Sequence, residues 1–359
     1  MKIIFADQFS DPGGGQQCLM DLLPAILERG WQPMVMAPGN GEMLHWCGRN
    51  NIPTRRLPLS NYSSGNKSAA DGLRFALDRP RVGAAIRAAA ADHGCNLLYV
   101  NGPRVLPHVA GSGLPIIFHA HHRISGRVSL ALTARVLEQA KIPVIAVSQS
   151  VATQFSLPDV SVIYNGVADC AAERTWADGA LRIGMLGRIA PEKGQLDFVR
   201  AARLIRQQAA NCRFEIFGAP LFSGDEYERA VRVECGDLPV TFHGWQNASA
   251  ALAEMDVLAV PSGPGEGACR VILEAFSAGV AVVAYPSGGI PEFIEHGRTG
   301  ILTEDRSPES LARWILELVR QPDLRGRLSA AGRTEWAAHF TLEAYTQRIC
   351  DRIQDRASR

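Results

Sequence analysis

The sequence predicts an α/β chain built as two doubly wound domains. Three observations predict it. Short apolar runs of strand length alternate with amphipathic helical patterns along the whole chain, the beat of βα units around parallel sheets. Each half contains a strand that runs into a glycine-rich turn and then a helix, at Ile3–Glu28 and at Val257–Ser277. Between the halves lies a polar, alanine-rich stretch, 168–179, suited to a linker. The expected division is 1–168, 169–340, and a final segment 341–359. With 359 residues, 47% of them hydrophobic, there is enough chain for two separate cores.

Composition narrows the function. The net charge is +1 and the pI is about 7.6, which argues against a nucleic-acid or polyanion partner. No apolar run approaches the roughly 20 residues of a membrane span. The start, MKIIFADQF, reads as a strand and not as a signal peptide. The eight cysteines are scattered without a C-x-x-C pair, so neither a zinc site nor a redox pair is indicated. A reduced, cytoplasmic setting is expected, and no cofactor.

In the first half, Ile3–Ala6 reads as a buried strand, broken by Asp11-Pro12-Gly13-Gly14-Gly15 and followed by a helix over Gln16–Glu28. Such a turn either simply needs glycine or exposes backbone N–H groups to a ligand. It is not the dinucleotide fingerprint: G-x-G-x-x-G is missing, and no acidic residue follows the second strand, Pro33–Ala37, in a ribose position. The stretch from Pro38 to Pro80 is expected to be loop-rich, and Arg55, Arg56, Lys67, Arg74, Arg79, Arg81 and Arg87 give its neighbourhood a basic excess. That is either a solvated face or contact with an anionic acceptor or membrane surface. Leu97–Asn101 and Pro115–Phe118 are further strands. The second runs into His119, His121 and His122, where open α/β sheets place ligands. Val144–Val147 and Val160–Ile163 complete the series, the first with Ser148 or Ser150 as helix cap, the second leading into Tyr164-Asn165-Gly166-Val167.

In the second half, Leu181–Leu186 ends in Gly187-Arg188-Ile189-Ala190-Pro191-Glu192-Lys193-Gly194. A strand end, a proline-fixed turn and two cations suit one anion, since arginine binds phosphate oxygens in a fork. Strands at Phe214–Phe217 and Val240–His243 follow, and Gly218 with Phe242–Trp245 would bracket a base or simply pack. Val257–Val260 leads through Gly263, Gly265 and Gly267 into a helix over Arg270–Ser277, closed by Gly279. First-turn N–H groups lack partners inside a helix and its dipole favours an anion there. Arg270 adds a full charge. Glu266 stands just before the helix and Glu274 one turn beyond Arg270. Carboxylates repel phosphate but accept hydrogen bonds from sugar hydroxyls. Either Glu274 is a solvated helix residue and the glycines merely turn the chain, or two carboxylates around a diphosphate cradle describe a site for a nucleotide-sugar.

Glu266, seven residues, then Glu274 resembles the E-x7-E signature of retaining GT-B glycosyltransferases of family four, the glycosyl transferases group 1. Gly288–Leu302, GGIPEFIEHGRTGIL, is similar to that family's continuation, and Arg188 with Pro191-Glu192-Lys193-Gly194 to its GR…PEKG element. The resemblance implies two Rossmann-like domains facing across a cleft, the second binding a nucleotide-sugar such as a UDP- or GDP-sugar. The first would take a sugar, lipid-linked or small-molecule acceptor. It implies metal-independent transfer with retention, in polysaccharide or lipid-linked glycan assembly or in small-molecule glycosylation. Catalytic roles fall to His119, Glu266, Arg188 and Lys193, with His121 and His122 as register alternatives to His119. Donor contacts fall to Gly14, Gly15, Gly267, Ala268, Cys269, Arg270, Val271 and Glu274 beside the same Arg188, Lys193 and Glu266. Gly13, His121, His122 and Asn165 are acceptor-side or loop candidates. The final helix, Leu342–Ile353, would cross back onto the first domain. Where many members read E-G-F-G-L, this chain has Glu266-Gly267-Ala268-Cys269-Arg270, so donor identity does not carry over. The rivals are a non-catalytic binding module of the same fold, an NAD-dependent oxidoreductase and a nucleotide-sugar epimerase.

Overall fold

A computed structural model describes residues 1–60, 69–171, 179–221 and 225–358. Lys67, the segment 61–66 and most of the expected linker lie outside the described residues. The chain divides into two units, Met1–Asn165 with Glu343–Arg359, and Gly166–Leu342. The first boundary falls at Asn165 and not at 168, because Val167 already bridges to Thr341 within the second unit.

The first unit runs β1 (Lys2–Asp7), α1 (Gly14–Glu28), β2 (Gln32–Ala37), α2 (Glu42–Arg49), β3 (Thr54–Arg56), α3 (Ala69–His93), β4 (Leu97–Asn101), α4 (Leu106–Val109), β5 (Ile116–Ala120), α5 (Arg127–Gln139), β6 (Val144–Ala146), α6 (Gln149–Ala152) and β7 (Val160–Val162). Its seven strands are all parallel, in the order β3-β2-β1-β4-β5-β6-β7. β1 and β4 are buried along nearly their whole length, as expected of strands covered on both faces. Ser148 caps α6 by accepting from the Val151 N–H at 3.1 Å.

Two expectations fail here. Among its described residues the stretch from Pro38 to Pro80 is not loop-rich: it holds α2, β3 and the first half of α3, which continues through Pro80 to His93. α3 is weakly amphipathic and carries a proline inside, so neither periodicity nor the usual breaker rule reveals it. Strand β5 also reaches two residues further than Phe118. His119 is paired in register with Ile145 of β6 and lies within the sheet, not after it.

The second unit runs β8 (Leu181–Leu186), α7 (Gln195–Gln208), β9 (Cys212–Phe217), α8 (Glu226–Cys235), β10 (Val240–Gly244), α9 (Ala248–Ala253), β11 (Val257–Val260), α10 (Arg270–Ser277), β12 (Ala281–Ala284), β13 (Ile301–Leu302), α11 (Pro308–Arg320) and α12 (Pro322–His339). Its six parallel strands are ordered β10-β9-β8-β11-β12-β13. Ile183, Phe214, Ile216, Val257 and Val283 meet Phe198, Ile205 and Ile315 of the covering helices in one core. A last helix, α13 (Leu342–Ala357), belongs to the first unit from Glu343 on. There it buries Tyr345, Ile349 and Ile353, pairs Arg352 with Asp159, and donates from Arg356 Nε to the Ile116 carbonyl at 3.2 Å.

Both sheets reverse their winding once, between β1 and β4 and between β8 and β11. At such a reversal the flanking connections leave in opposite directions and open a crevice beyond the strand ends, where α/β sheets bind ligands.

Candidate functional site

At the crevice of the second unit, β8 delivers Arg188 and Lys193 and β11 delivers Glu266. The turn after β8 is braced by Gln195, 1% exposed, which donates to the Arg188 carbonyl at 2.7 Å and accepts from the Ala190 N–H at 3.3 Å. Lys193 Nζ meets Glu266 Oε2 at 2.6 Å. Arg188 pairs with Glu192 at 2.5 Å and donates to the Leu221 carbonyl at 3.3 Å. On α10, Arg270 Nε donates to Glu274 Oε1 at 2.8 Å, and its guanidinium reaches the Gly166 carbonyl at 3.4 Å. Glu274 is buried and Glu266 nearly so. These pairs form one electrostatic cluster. Glu266, Lys193 and Glu274 all act on the Cys269 thiol between them, and Arg188 acts on Lys193.

Three cations and three carboxylates thus pair off; of these pairs, only Lys193–Glu266, 73 residues apart, lies beyond the reach of local sequence spacing. Burial works most strongly against charge on Lys193, yet the ammonium pKa is held above its ordinary value, with Glu266 the leading influence that raises it. The Cys269 thiol is pushed up by burial and then by Glu266, so it stays protonated. Cys269 occupies the N-cap of α10, 2% exposed, while Gly267 is buried and Ala268 and Val271 are half-buried. Cys269 is therefore scaffold. Glu266 is fixed from behind: the Gly289 N–H donates to its carbonyl at 3.1 Å. Gly288, at φ +55°, passes so near that a Cβ would stand 1.9 Å from that oxygen. Only glycine tolerates both the positive φ and the approach, which explains the GGIP motif.

Trp245, after β10, is 51% exposed. Phe242, by contrast, lies under the Arg232 guanidinium at 4.0 Å and is packing, not one side of a base clamp. A cavity of about 690 Å³ opens beside the turn, lined by Pro191, Gly194, Pro261, Gly263 and Tyr285 among others, but not by the paired charges.

The crevice of the first unit is different. Asp7 ends β1 with its carboxylate wholly buried. Its Oδ1 accepts from the Phe9 N–H at 2.9 Å and from Gln16 Nε2 at 2.8 Å. Its Oδ2 accepts from Asn101 Nδ2, at the end of β4, at 2.5 Å. Asn101 Nδ2 also reaches the Gly15 carbonyl at 3.2 Å, and Asn101 Oδ1 faces His121 Nε2 at 2.6 Å. Burial raises the Asp7 pKa to about 6, against the pull of those hydrogen bonds. His119 lies beneath, 1% exposed, with Nδ1 at 2.7 Å from the Tyr99 hydroxyl, and burial lowers its pKa to about 3. The two imidazoles lie 3.9 Å apart.

His119 sits inside β5, almost wholly buried, with its Nε2 lacking a hydrogen-bond partner among the described residues, whereas His121 is half-buried beyond the strand end and His122 is exposed. Gly15 is explained by His121, since a Cβ there would stand 3.1 Å from the ring. Gly13 donates its N–H to Gln16 Oε1 at 3.1 Å instead of offering it to a ligand, and no atom lies within 4 Å of a Cβ on Gly14. Asn165 is buried and accepts from the Cys18 thiol at 3.4 Å, so it is core, not acceptor surface. Asp7 and Asn101 at strand ends, Tyr99 within β4 and Gln16 in α1 are single polar residues that carry no spacing signal in the sequence. Among the described residues no group of three or more His, Cys, Asp or Glu is placed to hold a metal ion. No helix among them is long and apolar enough to cross a membrane.

Comparison with known proteins locates this architecture. Residues 180–321 match the family model described as glycosyl transferases group 1. A GDP-mannose-dependent alpha-(1-6)-phosphatidylinositol monomannoside mannosyltransferase of Mycobacterium tuberculosis is 32% identical over 179 residues, 46% of this chain and 45% of that protein. A lipopolysaccharide 1,2-N-acetylglucosaminetransferase of Salmonella typhimurium is 32% identical over 195 residues, 50% of this chain and 49% of that one. The chain thus spans about half the length of the curated relatives it matches. The solved structure of Anabaena Alr3699/HepE in complex with UDP-glucose is similar over 99% of this chain and 100% of that one, with TM-score 0.84 at 22% identity. The fold is that of the GT-B glycosyltransferases, and residues 180–321 carry the match to the glycosyl transferases group 1 model.

Proposed function

We propose that this chain is a metal-independent glycosyltransferase that moves a sugar, with retention, from a nucleotide-diphosphate-sugar to an acceptor hydroxyl in bacterial glycan or glycolipid assembly. One observation carries the reading: each carboxylate of the E-x7-E pair is held by a cation of the same cluster, Glu266 by Lys193 and Glu274 by Arg270. Apolar packing would be cheaper in a core, since ion pairs that are mostly buried recover little of their desolvation cost. Such pairs make sense where a ligand exchanges partners with them. An arriving diphosphate takes Lys193, Arg188 and the N-terminal turn of α10. That frees Glu266 to accept from a donor-sugar hydroxyl and Glu274 from the ribose diol.

The same exchange serves the reaction. As the sugar–phosphate bond breaks, negative charge grows on the leaving diphosphate, and fixed cations there stabilise that charge more than the ground state. In this reading the cations do what a divalent ion would do. The acceptor hydroxyl attacks from the face the diphosphate leaves, which retains the anomeric configuration, and the departing phosphate oxygen takes the hydroxyl proton. His121 positions a hydroxyl in this step and forms no covalent bond. Trp245 stacks the base.

The test is a panel of sugar nucleotides led by UDP-glucose and GDP-mannose, which figure in the names of a structural neighbour and of a curated relative. At least one should be hydrolysed or transferred in excess EDTA, with NMR showing the α-anomer of the product from an α-linked donor. A requirement for a divalent ion would remove the metal-independent part; a β-linked product would remove retention. Binding without turnover of any donor would favour the non-catalytic module.

A further inference from the structure

We propose that Asp7 and Asn101 form a relay that holds His121 in one tautomer, with Nε2 protonated and Nδ1 presented as an acceptor to a substrate hydroxyl, and that protonation of Asp7 reverses it. This rests on the transfer reading only for what the hydroxyl belongs to; the relay itself rests on geometry within the first unit.

The direction of each bond is forced. Asp7 Oδ1 accepts from the Phe9 N–H and Gln16 Nε2, Oδ2 accepts from Asn101 Nδ2, and the Gln8 N–H also bonds the carboxylate. With its NH₂ group committed to Oδ2 and to the Gly15 carbonyl, Asn101 turns its oxygen to His121. An amide oxygen only accepts, so His121 Nε2 must carry the proton and donate to it, leaving Nδ1 bare. Burial, with His119 and His122 nearby, keeps the His121 pKa well below its ordinary value, so the ring stays neutral.

Acidification changes one group. The groups that act on Asp7 are Gln16 of α1, Asn101 of β4 and the N–H groups of Gln8 and Phe9, none of them charged, and its carboxyl titrates at about 6. The relay places the incoming proton on Oδ2, the oxygen that faces Asn101. Oδ2–H then needs an acceptor. Gln16 cannot turn without setting its NH₂ against the Gly13 N–H, which its Oε1 now satisfies at 3.1 Å. Asn101 can turn at the loss of one long bond to Gly15. Its oxygen then accepts from Oδ2–H and its NH₂ donates to His121 Nε2. The imidazole gives up the Nε2 proton and gains one at Nδ1 through solvent. One proton is taken up in all, at Asp7, and the side of His121 that accepted a hydroxyl hydrogen now donates.

The test uses the full chain labelled with ¹⁵N-histidine, the His121 signals assigned against His121→Phe. Long-range ¹H–¹⁵N correlation at pH 7.5 should show Nε2 protonated and Nδ1 bare. At pH 5 the pattern should be reversed, with a midpoint at about 6 that vanishes in Asp7→Asn. Nδ1 protonated at pH 7.5, or the same tautomer at both pH values, would overturn the relay, and the wild-type titration decides this even if Asp7→Asn fails to fold. In parallel, consumption of UDP-glucose and GDP-mannose should fall about tenfold from pH 7 to pH 5 in the wild type and stay flat in Asp7→Asn. A tautomer switch without consumption of either sugar nucleotide would uphold the relay and count against the transfer reading alone.

Discussion

The crevices at the two sheet reversals are made of opposite materials. In the second unit, Arg188, Lys193 and Arg270 each hold a carboxylate, and the cluster is charged, compensated and able to trade partners. In the first, Asp7, Asn101, His121 and His119 form a chain without a cation, where burial drives every titratable group toward its neutral form. A cluster of exchangeable ion pairs suits a ligand that brings its own charge. A chain without a cation and with fixed donor directions suits one that brings only hydroxyls. The same topology thus offers two sites, and the side chains at its strand ends decide which chemistry each accepts.

The sharpest way to break the contrast is Lys193→Ala. If the second crevice grips a developing diphosphate, turnover of the donor should fall about 100- to 1000-fold, the scale of removing one fixed stabiliser of transition-state charge. Glu266→Gln in the same background should restore none of it. An effect on KM alone would make Lys193 a ground-state contact.

The buried carboxyl of the first crevice has a consequence for stability. Asp7 titrates at about 6 when folded, against 3.8 for the free group. Between those values the folded state binds more protons than the unfolded one, so this group makes stability fall as pH rises through the window. The charged carboxylate costs about 3 kcal/mol at pH 7.5 by this difference. Lowering the pH from 7.5 to 5 should therefore raise the melting temperature of the wild type relative to Asp7→Asn by several degrees. A difference between the two that does not vary with pH would mean that Asp7 is not held neutral-leaning by burial.

A smaller effect sharpens the second crevice. Trp245→Ala should weaken binding of UDP and of GDP by about fivefold, the low end of the range for loss of one base-stacking face. It should leave kcat for a saturating donor unchanged. Equal binding in the variant would return the exposed indole to the solvated surface.

The two crevices also differed in how far the sequence disclosed them. Glu266, Glu274, Arg188 and Lys193 stood at recognisable spacings in glycine-punctuated turns, because backbone approach and phosphate binding impose local patterns. The pairing of Lys193 with Glu266 was hidden, since the two are far apart in sequence and meet only through the β8–β11 reversal. In the first unit the histidine cluster was visible but its register was not. Nothing in Pro115–His122 says that β5 ends at Ala120 and not at Phe118, and those two residues move the exposed imidazole from His119 to His121. Asp7 and Asn101 looked like ordinary strand ends; their relation exists only once β1 and β4 are neighbours.

The central claim is that one diphosphate is held by cations that leave their carboxylates to take it, with Glu274 receiving the ribose. Calorimetric titration of UDP and GDP into the wild type, Lys193→Ala and Glu274→Ala tests it most directly. At least one nucleotide should bind the wild type, at least tenfold more weakly to each variant, with a salt dependence that Lys193→Ala reduces. Undiminished binding in both variants, or no binding of either nucleotide to the wild type, would contradict it.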